Sequence, residues 1–444
     1  VNNLSELLSD TVADPPREER DLGPVLARGR QRVRRRRLTA FGGATLATAA
    51  VVATVSLVSL DPGPPDLATA GVPQPDAPTL RLADAVPATE GSDYRVLASH
   101  TTEDLYADNG QYFDGVTDDG RILFRDGPRR NQPQARFALM DPATGEKDWL
   151  PDLDAGVAQT WPLQLGEDRL VLLSPDERSK TVGLVVHIFD RASRTWRTMT
   201  WAGLPEVEDP FRAVLGPKDR LYVPVPLTQG QPPKGGWPVS PDGEADDADA
   251  DGDTYRLWSA SLTDASDVRD EGLTVGSVAF TDDAMVWTDS TNGDAGQVHV
   301  RNLRTGAEHA FDPESGEKCN LLSFGATDDR IVMGQYCGTY DEGVRDDRVQ
   351  VLDTEGNQVV TLQDSSIGGE LASDHGDGLV TVTAYGRDTD GTYLYDLGSG
   401  RFLRITDEVS SWETSGPVPR GQFLWNTPAN RGNGMTQHLG ELID

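Results

Sequence analysis

One short pattern recurs along most of the chain, a turn rich in Asp or Gly followed at once by an apolar run. It reads TDDGRILF, LGEDRLVLL, GPKDRLYVPV, TDDAMVW, TDDRIVMG, GDGLVTV and RGQFLW in chain order. The first strongly apolar positions are Ile122, Leu170, Leu221, Met285, Ile331, Leu379 and Phe423, which puts successive copies 48, 51, 64, 46, 48 and 44 residues apart. A near-constant spacing of this size marks one supersecondary unit repeated, each copy unable to bury its apolar face without its neighbours. The runs are too short for helices, and from about residue 92 onward there is almost no helical periodicity, so the expected class is all-β.

Each unit carries a second strand that ends in a turn: FALMDPATGE, VHIFDRASRTW, QVHVRNLRTGAE, VQVLDTEGNQ and TYLYDLGSGRF. Asp141, Asn302 and Asp396 each stand four residues before a glycine, Gly145, Gly306 and Gly400. A side-chain acceptor opening a tight turn and a glycine able to take positive φ are what a hairpin between outer strands requires. The unit around TYRLWSASLTDAS lacks that glycine, and its long spacing reflects an insertion, PLTQGQPPKGGWPVSPDGEADDADADGD. About seven units of four short strands predict a β-propeller, with six or eight blades and a β-helix as alternatives. The last unit is short of strand, and YRVLASH at 94–100 precedes the first full unit, free to complete the last and close the ring.

These repeats resemble exported β-propeller repeats of the WD40 and TolB-like kind, in which SPDG, a basic residue and an apolar residue lead a strand. TDDGRILF at 117–124 is the nearest copy, and the resemblance covers roughly 94–444. It implies fold and location, with only a hint of binding.

Upstream, residues 38–60 contain no Asp, Glu, Lys or Arg. A helix of that length reaches ~34 Å, enough to span a bilayer core. Arg28, Arg30, Arg32 and Arg34 to Arg37 crowd its N-terminal side, and no Lys or Arg follows it until Arg81. By the positive-inside rule, 1–37 is expected to be a cytoplasmic head, 38–60 a single transmembrane signal-anchor and the remainder extracytoplasmic. The apolar run exceeds that of a cleaved secretory signal, so cleavage is the lesser alternative. Residues 61–91, rich in proline, read as a stalk whose end nearest LRLADAV is open to being structured already, and 92–444 as the propeller. The layout resembles single-pass plasma-membrane proteins of high-GC Gram-positive bacteria.

Charge divides at the same boundary. Residues 1–37 hold nine Arg against six acids, so the rest carries about −35 of the net −32. An exterior this acidic argues against nucleic acid as a partner and leaves an unknown extracytoplasmic protein or glycan. The two cysteines, Cys319 and Cys337, flank neighbouring apolar runs and are expected to form one disulfide, contributing ~3 kcal/mol in a chain-entropy picture.

Two other features carry chemistry. In the insertion, Asp247, Asp249, Asp251 and Asp253 alternate around Gly252, the front half of a calcium loop, but its twelfth position is Trp258 where a bidentate Glu belongs. Calcium is therefore the one cofactor candidate beside the expectation of none, with a solvated acidic loop as the alternative. The six histidines, His100, His187, His299, His309, His375 and His438, are scattered, and no GxSxG or HExxH motif occurs. No catalytic residue stands out and no enzyme is expected. The leading reading is a membrane-tethered recognition or sensing module. Alternatives are a transmembrane regulator of a cytoplasmic partner such as a sigma factor, and a propeller enzyme acting on glycans through dispersed carboxylates.

Overall fold

The computed structural model describes residues 78–443 apart from 105–109, 129–131, 133, 156–159, 176–182, 208, 231–251, 316–318, 340–343, 346, 368–377, 387 and 411–415. The head, the anchor at 38–60, most of the stalk, and Asp247, Asp249 and Asp251 lie outside the described residues. Among the described residues no helix is long and apolar enough to cross a membrane.

Seven antiparallel sheets follow one another around a ring, a seven-bladed β-propeller. Blade 1 contains Gln111–Val116, Ile122–Asp126, Arg136–Met140 and Lys147–Trp149. Blade 2 contains Trp161–Leu165, Arg169–Pro175, Leu184–Asp190 and Thr195–Met199, and blade 3 Val214–Gly216, Arg220–Thr228, Thr254–Ser261 and Val268–Val275. Blade 4 is built from Val278–Phe280, Ala284–Thr288, Val298–Asn302 and Glu308–Phe311. Blade 5 uses Cys319–Thr327, Arg330–Thr339, Asp347–Asp353 and Gln358–Asp364; blade 6 uses Leu379–Ala384, Gly391–Asp396 and Phe402–Thr406; blade 7 uses Gln422–Ala429 and Gly434–Leu442.

The alternation of side chains along a strand explains the ring. In blade 2 the consecutive residues Leu170 to Leu173 are all buried. Leu170 and Leu172 join the core shared with Leu123 and Leu139 of blade 1, whereas Val171 and Leu173 join the core shared with Leu221 and Val223 of blade 3. Comparable cores lie between blades 3 and 4, 4 and 5, 5 and 6, 6 and 7, and 7 and 1. Both faces of every sheet are thus covered by another sheet, which is why these strands read as unbroken apolar runs.

The turns form as their sequences require. Asp141 Oδ1 accepts from the N–H groups of Ala143 and Thr144 at 2.9 and 3.0 Å, and Gly145, at φ +71°, donates to the Asp141 carbonyl at 2.8 Å. Asn302 with Gly306 and Asp396 with Gly400 repeat the arrangement. In blade 2 the left-handed position is filled by Arg194, at φ 55°. Its guanidinium reaches Asp148 at 2.7 and 3.1 Å and the Trp149 carbonyl at 2.8 Å, contacts that offset the strain of a non-glycine residue there.

The ring closes with the strand that the sequence left over. Tyr94–Thr102 pairs antiparallel with Gly434–Leu442, from Tyr94 opposite Leu442 to Thr102 opposite Met435, as the outer strand of blade 7. Arg95 Nε lies 2.6 Å from Glu441 Oε2, and the Tyr94 ring meets Trp425 edge-on at 5.7 Å. The seam with blade 1 is pinned by Gln437, which is fully buried. Its Oε1 accepts from Phe113 N at 2.5 Å and its Nε2 donates to the Gln111 carbonyl at 3.0 Å.

Part of the segment read as stalk also joins the propeller. Thr79–Leu80 runs parallel to Gln358–Asp364 on the outside of blade 5, and Val86–Pro87 runs parallel to Phe402–Thr406 on the outside of blade 6. Between them Leu82, 3% exposed, inserts into the core shared by those blades.

Cys319 and Cys337 stand directly opposite each other on adjacent strands of blade 5 and are joined in a disulfide, their Cα atoms 4.1 Å apart. Both are buried.

Gln437→Leu should strand the Phe113 N–H, worth about 1–3 kcal/mol when left unpaired in a buried site, while the Gln111 carbonyl keeps the Thr102 hydroxyl. Urea unfolding should show a lower midpoint, and an unchanged midpoint would rule out this pin.

Candidate interaction face

In a four-strand meander, the turns joining strands one to two and three to four fall at one end, and the remaining connections fall at the other. The two ends of this ring differ in length of connection. At one end the strands are joined by residues 117–121, 166–168, 217–219, 281–283 and 328–329, and by 141–146, 191–194 and 303–307. At the other end they are joined by residues 127–135, 229–253 and 289–297, with 150–160 and 200–213 leading from blade to blade. The second end also carries short connections at 276–277 and 430–433, but the longest ones lie there, and loops on a rigid ring are where binding surfaces are built.

Charged side chains at the tight-turn end are engaged between blades. Arg191 of blade 2 pairs with Asp119 of blade 1, with both Nη–Oδ distances at 2.8 Å, and also donates to the Gly166 carbonyl. That pairing holds the Asp119 carboxyl at about 2, below its ordinary 3.8. Arg169 of blade 2 spans to Asp219 of blade 3 at 2.5 and 3.0 Å and lowers that carboxyl too. Arg420 of blade 7 reaches Asp328 of blade 5 at 2.5 Å. This end is a belt of ion pairs that ties blade 1 to 2 and 2 to 3, and reaches across blade 6 from 7 to 5.

The long-connection end is organised around the foot of the insertion. Asp253 Oδ1 accepts from Gly230 N at 2.7 Å, Oδ2 accepts from Asn292 Nδ2 at 2.6 Å, and its backbone exchanges hydrogen bonds with Thr291. Asn292 N in turn donates to the Leu321 carbonyl, and Leu321 N to the Gly293 carbonyl, at 3.0 and 2.7 Å. A chain of contacts therefore runs from blade 3 through blade 4 to blade 5. Of the four acids read as calcium ligands, only Asp253 is described, and both its oxygens serve this pin. Among the described residues no group of three or more His, Cys, Asp or Glu is placed to hold a metal ion. Nearby, Trp161 at the head of the first strand of blade 2 packs against Phe211, ring centroids 3.7 Å apart, both half-buried. Asp209 accepts from Phe211 N to cap the short 3₁₀ turn Pro210–Arg212.

The histidines are dispersed around the ring. His187 is buried in a cross-strand row, 2.9 Å from Ser174 Oγ and 3.2 Å from Thr198 Oγ1. Ser174 is itself only 1% exposed, so this Ser and His pair cannot be approached by a substrate. His299 stacks on Trp287 and contacts Asp289 at 2.7 Å; His309 contacts the Thr354 carbonyl. His100 meets the Phe124 ring edge-on and Gln111, and burial lowers its pKa. His438 stacks on Trp425 at 4.8 Å between Ser99 and Thr427, and burial takes it down to about 4. His375 lies outside the described residues.

No protein-family model matches the sequence, and no curated protein matches it. Solved structures do. The β-propeller domain of Myceliophteria thermophila Cps50 (Swd1) is similar at 11% identity over 79% of this chain and 97% of that one, with a TM-score of 0.40. Pyrococcus horikoshii acylaminoacyl peptidase is similar at 12% identity over 75% of this chain and 52% of its own, TM-score 0.45, so this chain spans about half of it. The β-propeller domain of the Trilobed protease from Pyrococcus furiosus shows 10% identity over 61% and 78%, TM-score 0.36. Likenesses this distant say nothing of activity, and the propeller assignment rests on the seven sheets and the cores between them.

Two polar arrangements had no counterpart in the sequence reading. Arg125 and Asp114, both buried in blade 1, pair through Nε at 2.5 Å and Nη2 at 3.1 Å, with the guanidinium 4.3 Å over the Tyr112 ring. Burial pushes the Asp114 carboxyl up and the guanidinium opposes it. Between blades 4 and 5, Arg348 Nη1 donates to the Ser315 carbonyl and Gln350 Nε2 to the Pro313 carbonyl, fixing that connection. Both sit on strands whose local sequence, FRD and RVQV, carries no sign of a buried partner.

The lowered pKa of His438 has a definite sign. The unfolded chain takes up this proton near 6.5 and the folded ring only near 4, so stability is highest above 6.5 and falls as pH drops through that window. His438→Gln should flatten that part of the thermal midpoint against pH; a profile identical to the parent protein's would remove His438 as the cause.

Proposed function

We propose that this chain is a membrane-tethered extracytoplasmic recognition module that binds a protein, glycan or small ligand through the long-connection end of its propeller. The asymmetry of the ring carries the proposal. One end is consumed by short turns and interblade ion pairs, whereas the other bears the long connections, the Trp161 and Phe211 pair and the foot of the insertion. The uncharged run at 38–60 behind its arginine collar supports the tether and the plasma-membrane location, with the N-terminus in the cytoplasm. The net charge of −32 supports a partner other than nucleic acid, since phosphate backbones are bound through clustered Lys and Arg. Calcium held by Asp247, Asp249 and Asp251 is the cofactor this reading admits, with Asp253 serving at the foot of the loop.

On this reading the module acts by binding. The test places a photo-crosslinking amino acid, one site at a time, in the full-length chain in its own cell envelope. Adducts of defined mass are expected from Gln134, Glu206 and Asp294 at the long-connection end, and none from Thr144 or Thr305 at the tight-turn end. Adducts confined to the latter pair would reverse the assignment. A C-terminal reporter active only in the cytoplasm would overturn the extracytoplasmic location.

A further inference from the structure

The direction of the N-terminal strands fixes how the ring is offered to its surroundings. The fourth strand of each meander runs from the tight-turn end to the long-connection end; Gln358–Asp364 of blade 5 does so, leaving the turn at 354–357. Thr79–Leu80 is parallel to it, with Thr79 opposite Thr361 and Leu80 opposite Leu362, and Thr361 N donates to the Pro78 carbonyl at 3.0 Å. Val86–Pro87 is parallel to Phe402–Thr406 of blade 6, and Ala88 N donates to the Arg404 carbonyl at 2.9 Å. Tyr94–Thr102 is antiparallel to the descending strand Gly434–Leu442, so it ascends as well. The chain thus climbs the flank of the ring three times, always from the tight-turn side, stepping from blade 5 to 6 to 7 before entering blade 1.

This entry is fixed in place. Leu82 is buried in the core between blades 5 and 6 beside Val349, Val351 and Tyr393. Arg81 donates to the Gln363 carbonyl and its N–H to Asp84 Oδ2 at 2.7 Å, which sets the bend before the next ascent. The described chain thus begins at Pro78 beside Thr361, partway along blade 5, already heading from the tight-turn end toward the long-connection end.

We propose that the tight-turn end of the propeller faces the membrane and the long-connection end faces away, so that the partner meets the module from the compartment outside rather than at the lipid surface. This rests on the reading of 38–60 as an anchor. The segment 61–77, with prolines at 62, 64, 65, 73 and 75, reaches at most ~53 Å as extended polyproline-like chain. Thr79 lies opposite Thr361, midway along Gln358–Asp364, so an inverted ring would need the preceding chain to run ~10 Å down the flank of blade 5 and reverse before Pro78. About a fifth of the reach would go into reversing direction. The upright ring uses the reach along its own heading.

The experiment uses full-length protein in phosphatidylcholine vesicles whose headgroups carry an energy-transfer acceptor. Single cysteines are introduced by Thr144→Cys and Thr305→Cys at the tight-turn end, and by Gln134→Cys and Glu206→Cys at the long-connection end, all exposed positions. The resident cysteines are joined and buried, so only the new thiol takes the donor dye. Transfer is expected to be higher from the first pair by about two-fold or more, given a height difference near the ~23 Å of one strand. Equal transfer, or more from Gln134→Cys and Glu206→Cys, overturns the orientation while leaving the tether intact. Failure of the protein to float with the vesicles overturns the tether, and the orientation with it.

Discussion

Each sheet of this molecule is apolar on both faces, and that constraint decides everything else about it. Leu170 and Leu172 face one neighbour while Val171 and Leu173 face the other, so blade 2 has no side to give to water. An open row of such sheets would leave one oily face bare at each end; only a ring has none. Closure is accordingly the step on which stability turns, and the seam between blades 7 and 1 is where buried polar groups are spent to specify it. Gln437 satisfies the backbone of blade 1 on both a donor and an acceptor, in a place where an aliphatic side chain would pack but could not bond. His438, one residue along, is held neutral against Trp425 by the same desolvation.

Much of the ring was legible because its signals are local. A side-chain acceptor with a glycine four residues on specifies a turn within six residues, and Asp141 with Gly145 adopts it. The spacing of the apolar runs gave the number of blades, and the unpaired strand at 94–100 gave the closure. The disulfide followed from two cysteines on adjacent strands. What escaped reading depends on distant partners or on very short pairings. Thr79–Leu80 and Val86–Pro87 pair over two residues each, too few for any periodicity to show which blades the LRLADAV end of the proline-rich stretch joins. Arg194 stands where the pattern calls for glycine, because Asp148 and a carbonyl of the previous blade hold it there.

The same limit governs the long-connection end. Asp253 looks like the seventh position of a cation loop when read along the chain, yet in the fold it faces Asn292, 39 residues on, and spends its oxygens tying the insertion to the next blade. A carboxylate's neighbours in sequence and its neighbours in space make different demands, and only the second decide its role. His187 beside Ser174 is the converse case. A pairing that suggests catalysis by residue type is sealed between sheets and works as a cross-strand tie.

The strand that completes blade 7 is made hundreds of residues before its partner; Arg95 and Glu441 are 346 positions apart. During synthesis the earliest segment must wait, unpaired, until the final repeat appears. A chain released short of its last strand has blades but no lock, and it displays raw sheet edge and oily surface. Only the complete chain hides that edge and surface, so a truncated ring should be cut by proteases where the whole one resists them.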